Sequence, residues 1–320
     1  MSTYTQLFGK QVTFVTSDPS NPTVGQMWYN STSKVLKFLG TTTAGAWASG
    51  GNLATARRNP AGAGTQTAGL AFGGFSSANT GETEEYDGSS WTSGGTMATV
   101  RRALAGAGTQ TSALGFGGQT TTSLAATEEY DGASWSSGGS MGTGRYSLGG
   151  AGTQTSALGF SGASPSNTAV TEEYDGTSWT SSGSMATARR GLAGAGTQTS
   201  ALGFGGQIPP NTGVTEEYDG TSWTAGGTMV TARAFLAGAG TQTSALAFGG
   251  TVPPFTGATE AYNGTSWTTD TSMGTARYFF AGCGTQTSAL GFGGYTTAVL
   301  AATEEFTGAG APVTKTVTAS

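Results

Sequence analysis

Hydrophobic residues occur along this chain in short bursts separated by polar and glycine-rich turns. Between 192 and 224, for example, LAGAG (192–196) is followed by the polar TQTS (197–200) and then by ALGFGG (201–206). A variable stretch, TEEYDG (215–220) and SWT (222–224) complete the unit. None of these bursts repeats its apolar positions at helical spacing, and each has the length of a short strand. The Asp-Gly of TEEYDG is a strong hairpin-turn signal. The pattern predicts four short strands per unit and an all-β fold class. The Ala/Gly strand suits the crowded inner position, and Trp and Tyr suit the wider outer part of each sheet.

The bursts recur with a fixed period. Trp47, Trp91, Trp135, Trp179, Trp223 and Trp267 are each 44 residues apart, and Arg57, Arg101, Arg145, Arg189, Arg233 and Arg277 keep the same step. Phe72, Phe116, Phe160, Phe204, Phe248 and Phe292 do too. Six such copies predict a six-bladed β-propeller of four-stranded blades. The ends of the repeat are out of phase. The sixth copy, from Arg277 to Gly308, carries only three of the four bursts, whereas Trp47 stands in register with no TEEYD-like segment before it. A strand at Ala46–Ser49 is therefore expected to complete the blade begun at 277, which removes exposed sheet edges. A sixth blade of three strands is the competing expectation. The chain then divides into an N-terminal β-hairpin segment at 1–40, the propeller at 41–308 and a C-terminal tail at 309–320.

Composition narrows the chemistry. Glycine supplies 56 of 320 residues and charged residues only 10%, yet seven Trp, ten Tyr and fifteen Phe recur at fixed positions, which argues for order rather than a disordered linker. A net charge of -5 and a pI near 4.8 are not those of a nucleic-acid-binding surface. No apolar run is long enough to span a membrane. The opening MSTYTQLFGKQVTF has no basic start followed by an apolar core, so no signal peptide is expected. Histidine is absent, which removes histidine-based acid–base and nucleophile systems and His-ligated metals. No cofactor and no metal site are expected. Cys283 replaces the alanine of other copies (Ala107, Ala151, Ala195, Ala239) and reads as a small buried residue.

The carboxylates fall in the repeat. Adjacent residues of a strand point to opposite faces, so the Glu pairs are not arranged as catalytic pairs. The first Glu of each copy (Glu84, Glu128, Glu172, Glu216, Glu260, Glu304) reads as a partner for backbone groups or for the repeated Arg. GAGTQT lacks the Gly-Lys-Ser/Thr of a phosphate-binding loop. The chain is expected to be no enzyme. Asn30–Thr32 and Asn263–Thr265 match the glycosylation sequon, which carries little weight without secretion.

The copies differ mainly in the eight residues between the second and third strands and in the residue after the repeated Arg. Antiparallel order places both on one face of the disc. Tyr and Arg are common anchors of interfaces. The candidate binding residues on that face are Arg58, Phe75, Arg102, Tyr146, Arg190, Pro209, Pro210, Phe255, Tyr278 and Tyr295. Drift in solvent-exposed loops is the competing explanation.

Two resemblances add to this reading. The glycine pair Gly117–Gly118, then Glu128, Tyr130 and Asp131, then Trp135, with Met97 and Arg101 one unit earlier, resembles the kelch repeat. The likeness covers 45–308, with Ser161 departing from the first glycine in the third copy. The 44-residue step is nearer to WD40, but Gly-His and Trp-Asp are absent. Kelch-type propellers close with an N-terminal strand, which implies the same here; those that are copper oxidases rely on His ligands that this chain lacks. SNPTVGQMWYNSTSKVLKF, with its Gly25-x-x-Trp28-Tyr29-Asn30 core, is similar to short modules that open many phage tail-fibre and virion-surface proteins. That resemblance implies a non-enzymatic virion structural protein, a tail or head fibre or adhesin of a bacteriophage. Trp28 and Tyr29 are then candidate attachment residues. Other virion structural proteins and host-surface carbohydrate or protein are the implied partners, with homo-oligomers through the N-terminal segment as a further option. A simple β cap on the propeller is the other reading of 1–40. A cellular, cytoplasmic kelch protein-interaction scaffold is the alternative for the whole chain.

Overall fold

A computed structural model describes residues 12–41, 44–310 and 312–317. The segment on which the absence of a signal peptide was read falls almost wholly outside them. The described residues contain no helix and fall into two compact units, Met1–Gly45 with Thr307–Ser320, and Ala46–Phe306.

The larger unit is a β-propeller. Its first repeat sheet holds Ala61–Gly64, Gly69–Phe72, Thr83–Tyr86 and Trp91–Ser93 in that order. The next four copies follow the same plan, and every neighbouring pair is antiparallel, as in Leu114↔Ala107, Leu114↔Glu129 and Tyr130↔Trp135. The sixth sheet takes three strands from the last copy, Ala281–Thr285, Ser288–Phe292 and Thr303–Thr307. Its fourth strand is Ala46–Ser49, from the other end of the repeat region.

The innermost strands lie side by side from sheet to sheet, and this explains their Ala/Gly alternation. A methyl group at Gly106 would stand 2.5 Å from the carbonyl oxygen of Gly62 and 2.8 Å from Phe72 Cζ. Only a residue without Cβ permits that approach. The second strands are buried along their length, apart from the half-buried Ser that opens the longer ones. Apolar clusters join consecutive sheets. One holds Ala61, Ala63, Leu70 and Phe72 of the first sheet with Met97, Leu104, Ala113 and Tyr130 of the second copy. Another joins the sixth sheet to the first through Phe292, Leu290, Cys283, Tyr86 and Trp91.

Three polar contacts recur across these seams. Each outer-strand Trp donates its indole N–H to a Thr of the preceding sheet, as Trp135 does to Thr83 at 2.9 Å, and its ring meets that sheet's Phe, Phe72 at 4.9 Å. Trp47 makes the same contacts with Thr259 and Phe248, at 3.0 and 5.0 Å. Each Tyr hydroxyl donates to the second Glu of the preceding sheet, as Tyr174 does to Glu129 at 2.5 Å. At the seam between the fifth and sixth sheets both partners change together. Phe306 replaces the Tyr, Ala261 replaces the Glu, and the two belong to one apolar cluster. Finally, each loop Gln reaches back to two carbonyls of the preceding sheet, as Gln110 does to Gly69 and Tyr86.

The reading of the first Glu as an internal partner is met in every copy. Arg145 and Glu172 are 2.7 Å apart, with side chains 0% and 2% exposed. Glu172 also accepts the backbone N–H groups of Gly142 and Thr143 at 2.6 and 3.3 Å. The connection entering each sheet is thereby tied to its third strand. Burial lowers the pKa of Arg101 and Arg277 to about 10, which leaves both charged at neutral pH.

The smaller unit keeps the expected hairpin, with Met27–Asn30 antiparallel to Val35–Thr41, and corrects the tail. The hairpin belongs to a four-stranded sheet of Val12–Val15, Met27–Asn30, Val35–Thr41 and Pro312–Val317, in that order. Its first two strands are parallel. The residues read as a C-terminal tail supply its fourth strand, with Phe38↔Lys315 and Gly40↔Val313 in register. The alternation in PVTKTV is a strand signal in its own right, but it stands outside the 44-residue period.

Candidate functional site

The face that varies between copies is built from six equivalent residue pairs. The residue after each repeated Arg forms a two-residue antiparallel bridge with the residue after the glycine pair. The pairs are Arg58 with Phe75, Arg102 with Gln119, Tyr146 with Ala163, Arg190 with Gln207, Ala234 with Thr251 and Tyr278 with Tyr295. The two residues before the bridge both take positive φ, 66° at Gly117 and 92° at Gly118, which glycine favours, and in the third copy Ser161 takes 59° in place of the first glycine.

Inside these pairs lies a ring that the sequence reading did not anticipate. The next residue of each copy, Asn59, Ala103, Ser147, Gly191, Phe235 and Phe279, takes a left-handed φ between 50° and 62°. Such a conformation costs a non-glycine residue roughly 1–2 kcal/mol. Each of these residues donates its backbone N–H to the carbonyl of its counterpart in the preceding copy, Ala103 to Asn59 at 2.9 Å and Ser147 to Ala103 at 2.8 Å. The chain of bonds returns on itself, because Asn59 donates to Phe279 at 2.6 Å. Six hydrogen bonds, each worth about 0.5–1.5 kcal/mol net, offset much of that strain. They fix the side chains of the ring at the centre of the face.

Over this ring is a cavity of about 290 Å³ lined by Arg58, Asn59, Arg102, Ala103, Gln119, Tyr146, Ser147, Arg190, Phe235 and Phe279. Three arginines and no acidic residue are among the lining residues. The arginines are held differently. Arg190 donates to Gln207 Oε1 from Nε and Nη2, at 3.0 and 2.8 Å, and reaches the Tyr146 hydroxyl at 3.4 Å. Arg102 donates to Asn79 at 2.7 Å and lies 5.2 Å from the Phe75 ring centre. Arg58 lies between the rings of Phe75 and Tyr295, at 4.9 and 5.1 Å, and donates no side-chain hydrogen bond among the described residues. A guanidinium held by two aromatic faces is oriented while its donors stay open.

Of the residues singled out in the sequence, Arg58, Arg102, Tyr146 and Arg190 line this cavity. Phe75 and Tyr295 stand behind Arg58. Tyr278 meets Tyr295 edge-on at 5.8 Å and stacks on Phe255 at 6.0 Å, forming an aromatic sector beside the cavity. Pro209 and Pro210 are exposed in their loop and line no part of it. Sequence reasoning missed Asn59, Ser147, Gln119, Phe235 and Phe279. The signal was present, since the second residue after the repeated Arg differs in every copy except for the two Phe. The candidate attachment residues separate: Trp28 is fully buried and donates its indole N–H to Asp18 at 3.0 Å, so it is a packing residue rather than a surface anchor. Tyr29 remains half-buried, against Phe14 at 5.5 Å. Asp18 also accepts from Asn30 and Lys37, and these bonds, that from Lys37 foremost, hold its pKa near 2.

Among the described residues no group of three or more Cys, Asp or Glu is placed to hold a metal ion. No family model matches the sequence, and no curated protein matches it. Its fold matches solved structures. One, titled "Structure of YjhT", superposes with a TM-score of 0.66 at 13% identity, covering 79% of this chain and 95% of that one. At that identity the likeness speaks for the propeller fold alone.

Proposed function

We propose that this chain is a six-bladed kelch-type propeller, closed by the strand that carries Trp47, and that it serves as a non-enzymatic binding protein of a phage virion. In this reading it is a tail or head fibre or adhesin. The variable face meets a host surface or neighbouring virion proteins, and the N-terminal sheet, with Tyr29, joins it to the particle. Closure is supported by the place of Ala46–Ser49 beside Thr303–Thr307 and by Trp47 making the contacts of every other repeat Trp. The kelch assignment rests on the Gly-Gly, Glu-x-Tyr-Asp, Trp and Met-x-x-x-Arg pattern, and the virion assignment on the Gly25–Asn30 core. The observation that carries the binding role is the cavity of arginines and aromatic rings on the one face where the copies differ, while the residues behind it repeat.

Mass spectrometry and imaging of purified particles test the placement. Stoichiometric protein on the particle surface supports it, and its absence from particles favours a cellular interaction scaffold instead. Replacing two neighbouring second-to-third-strand loops by Gly-Ser tests the face. Partner binding that survives unchanged would remove it from the function.

A further inference from the structure

We infer that the cavity above the backbone ring is a subsite for an oxyanion-bearing saccharide, with Arg58 as the group that takes the anion. The inference rests on the binding role proposed above and names its ligand chemistry. Five features converge on it. The lining brings three positive charges together, on a chain whose net charge is -5, and contributes no carboxylate. Arg102 and Arg190 are already spent in part on Asn79, Gln207 and Tyr146, whereas the donors of Arg58 are unused and its plane is set by Phe75 and Tyr295. Planar paired donors fit a carboxylate or phosphate bidentately. The rest of the lining suits the remainder of a sugar. Asn59, Gln119 and Ser147 offer donors and acceptors to hydroxyl groups, and Phe235, Phe279 and Tyr146 offer ring faces and edges. A cavity of about 290 Å³ is at the lower end of small-molecule sites, the size of one or two sugar rings rather than a long chain. The backbone ring contributes by exhausting its own N–H groups on its carbonyls, so anion recognition falls to the arginine side chains.

The test is isothermal titration of the full chain at low salt with three probes: D-glucuronate, D-glucose 6-phosphate and D-glucose. Binding of one or both anions, with D-glucose at least about tenfold weaker, is the expected result, and the stronger anion says whether carboxylate or phosphate is the group recognised. Arg58→Ala should weaken anion binding by about 10- to 100-fold, the loss expected for a charge-assisted pair. Arg58→Lys should recover only part of it, because the ammonium lacks the fork. Both variants should stay folded, with Tm lowered by a few degrees at most in Arg58→Ala, since half-buried Arg58 has no hydrogen-bonded partner to strand and gives up only its contacts with the Phe75 and Tyr295 rings. Equal binding of D-glucose, unchanged anion binding in Arg58→Ala, or no binding of either anion would overturn the inference. A loop-replaced protein that loses its macromolecular partner while the wild type binds no anion would leave the proposed binding role standing and this subsite refuted.

Discussion

The seam between the fifth and sixth sheets predicts how the other seams will respond to mutation. Elsewhere a buried Tyr hydroxyl donates to a half-buried Glu of the preceding sheet, and at this one seam Phe306 and Ala261 replace both at once. Removing one partner strands the other, whereas removing both leaves an apolar contact. The Tyr174 hydroxyl lies 2.5 Å from Glu129. A hydrogen bond to a charged group contributes about 1.5–3 kcal/mol, and water reaching the half-buried carboxylate returns part of it, so Tyr174→Phe should cost about 1–2 kcal/mol. For a unit of this size each kcal/mol lowers Tm by about 2–4 °C. Glu129→Ala, which leaves a buried hydroxyl short of its acceptor, should cost a similar amount. The double variant reproduces the chemistry of the fifth seam and should cost less than the sum of the singles, by about 1 kcal/mol or more. The converse holds at the fifth seam. Ala261→Glu alone should destabilise, by placing a carboxylate against Phe306, and Phe306→Tyr added to it should restore the melting temperature. Chemical denaturation followed by tryptophan fluorescence reads the whole cycle. Additivity within about 0.5 kcal/mol would refute the reasoning, because it would mean the two groups do not sense each other.

Other outcomes follow from the same contacts. Glu172→Gln leaves the Arg145 guanidinium buried and uncompensated, so it should cost about 3–5 kcal/mol, and Arg145→Met added to it should recover a good part of that in the same denaturation assay. Tyr86, Tyr130, Tyr174, Tyr218 and Tyr262 have pKa values raised from the ordinary 10 to about 12 by burial and then by their glutamate partners. The folded chain therefore holds protons that the unfolded chain releases, so stability should be intact below pH 10 and fall as pH climbs from 10 to 12. Urea midpoints across that range check it, and a flat profile would argue against the shared cause. Trp47→Ala should lower Tm by an amount comparable to Trp179→Ala, since both tryptophans fill one seam; a much smaller loss would speak against closure through Ala46–Ser49.

The sequence by itself determined what is local or strictly periodic. The 44-residue step set the strand boundaries and the Gly-Gly turns, because these depend on hydrophobic alternation and turn chemistry within one copy, and its out-of-phase ends raised the expectation that Ala46–Ser49 completes the last sheet. It also marked the first Glu as an internal partner for backbone groups or for the repeated Arg. The tertiary structure decided the contacts that cross copies. Tyr174 finds Glu129 across a seam 45 residues back, and nothing in either segment names the other. Pro312–Val317 joins Val35–Thr41 from the far end of the chain. Trp28 turns inward onto Asp18 rather than outward. Above all, the convergence of Arg58, Arg102, Tyr146 and Arg190 over one cavity depends on six left-handed residues bonding in a ring. That geometry exists only once the sheets are packed side by side, because each strained residue is held by a carbonyl from another copy.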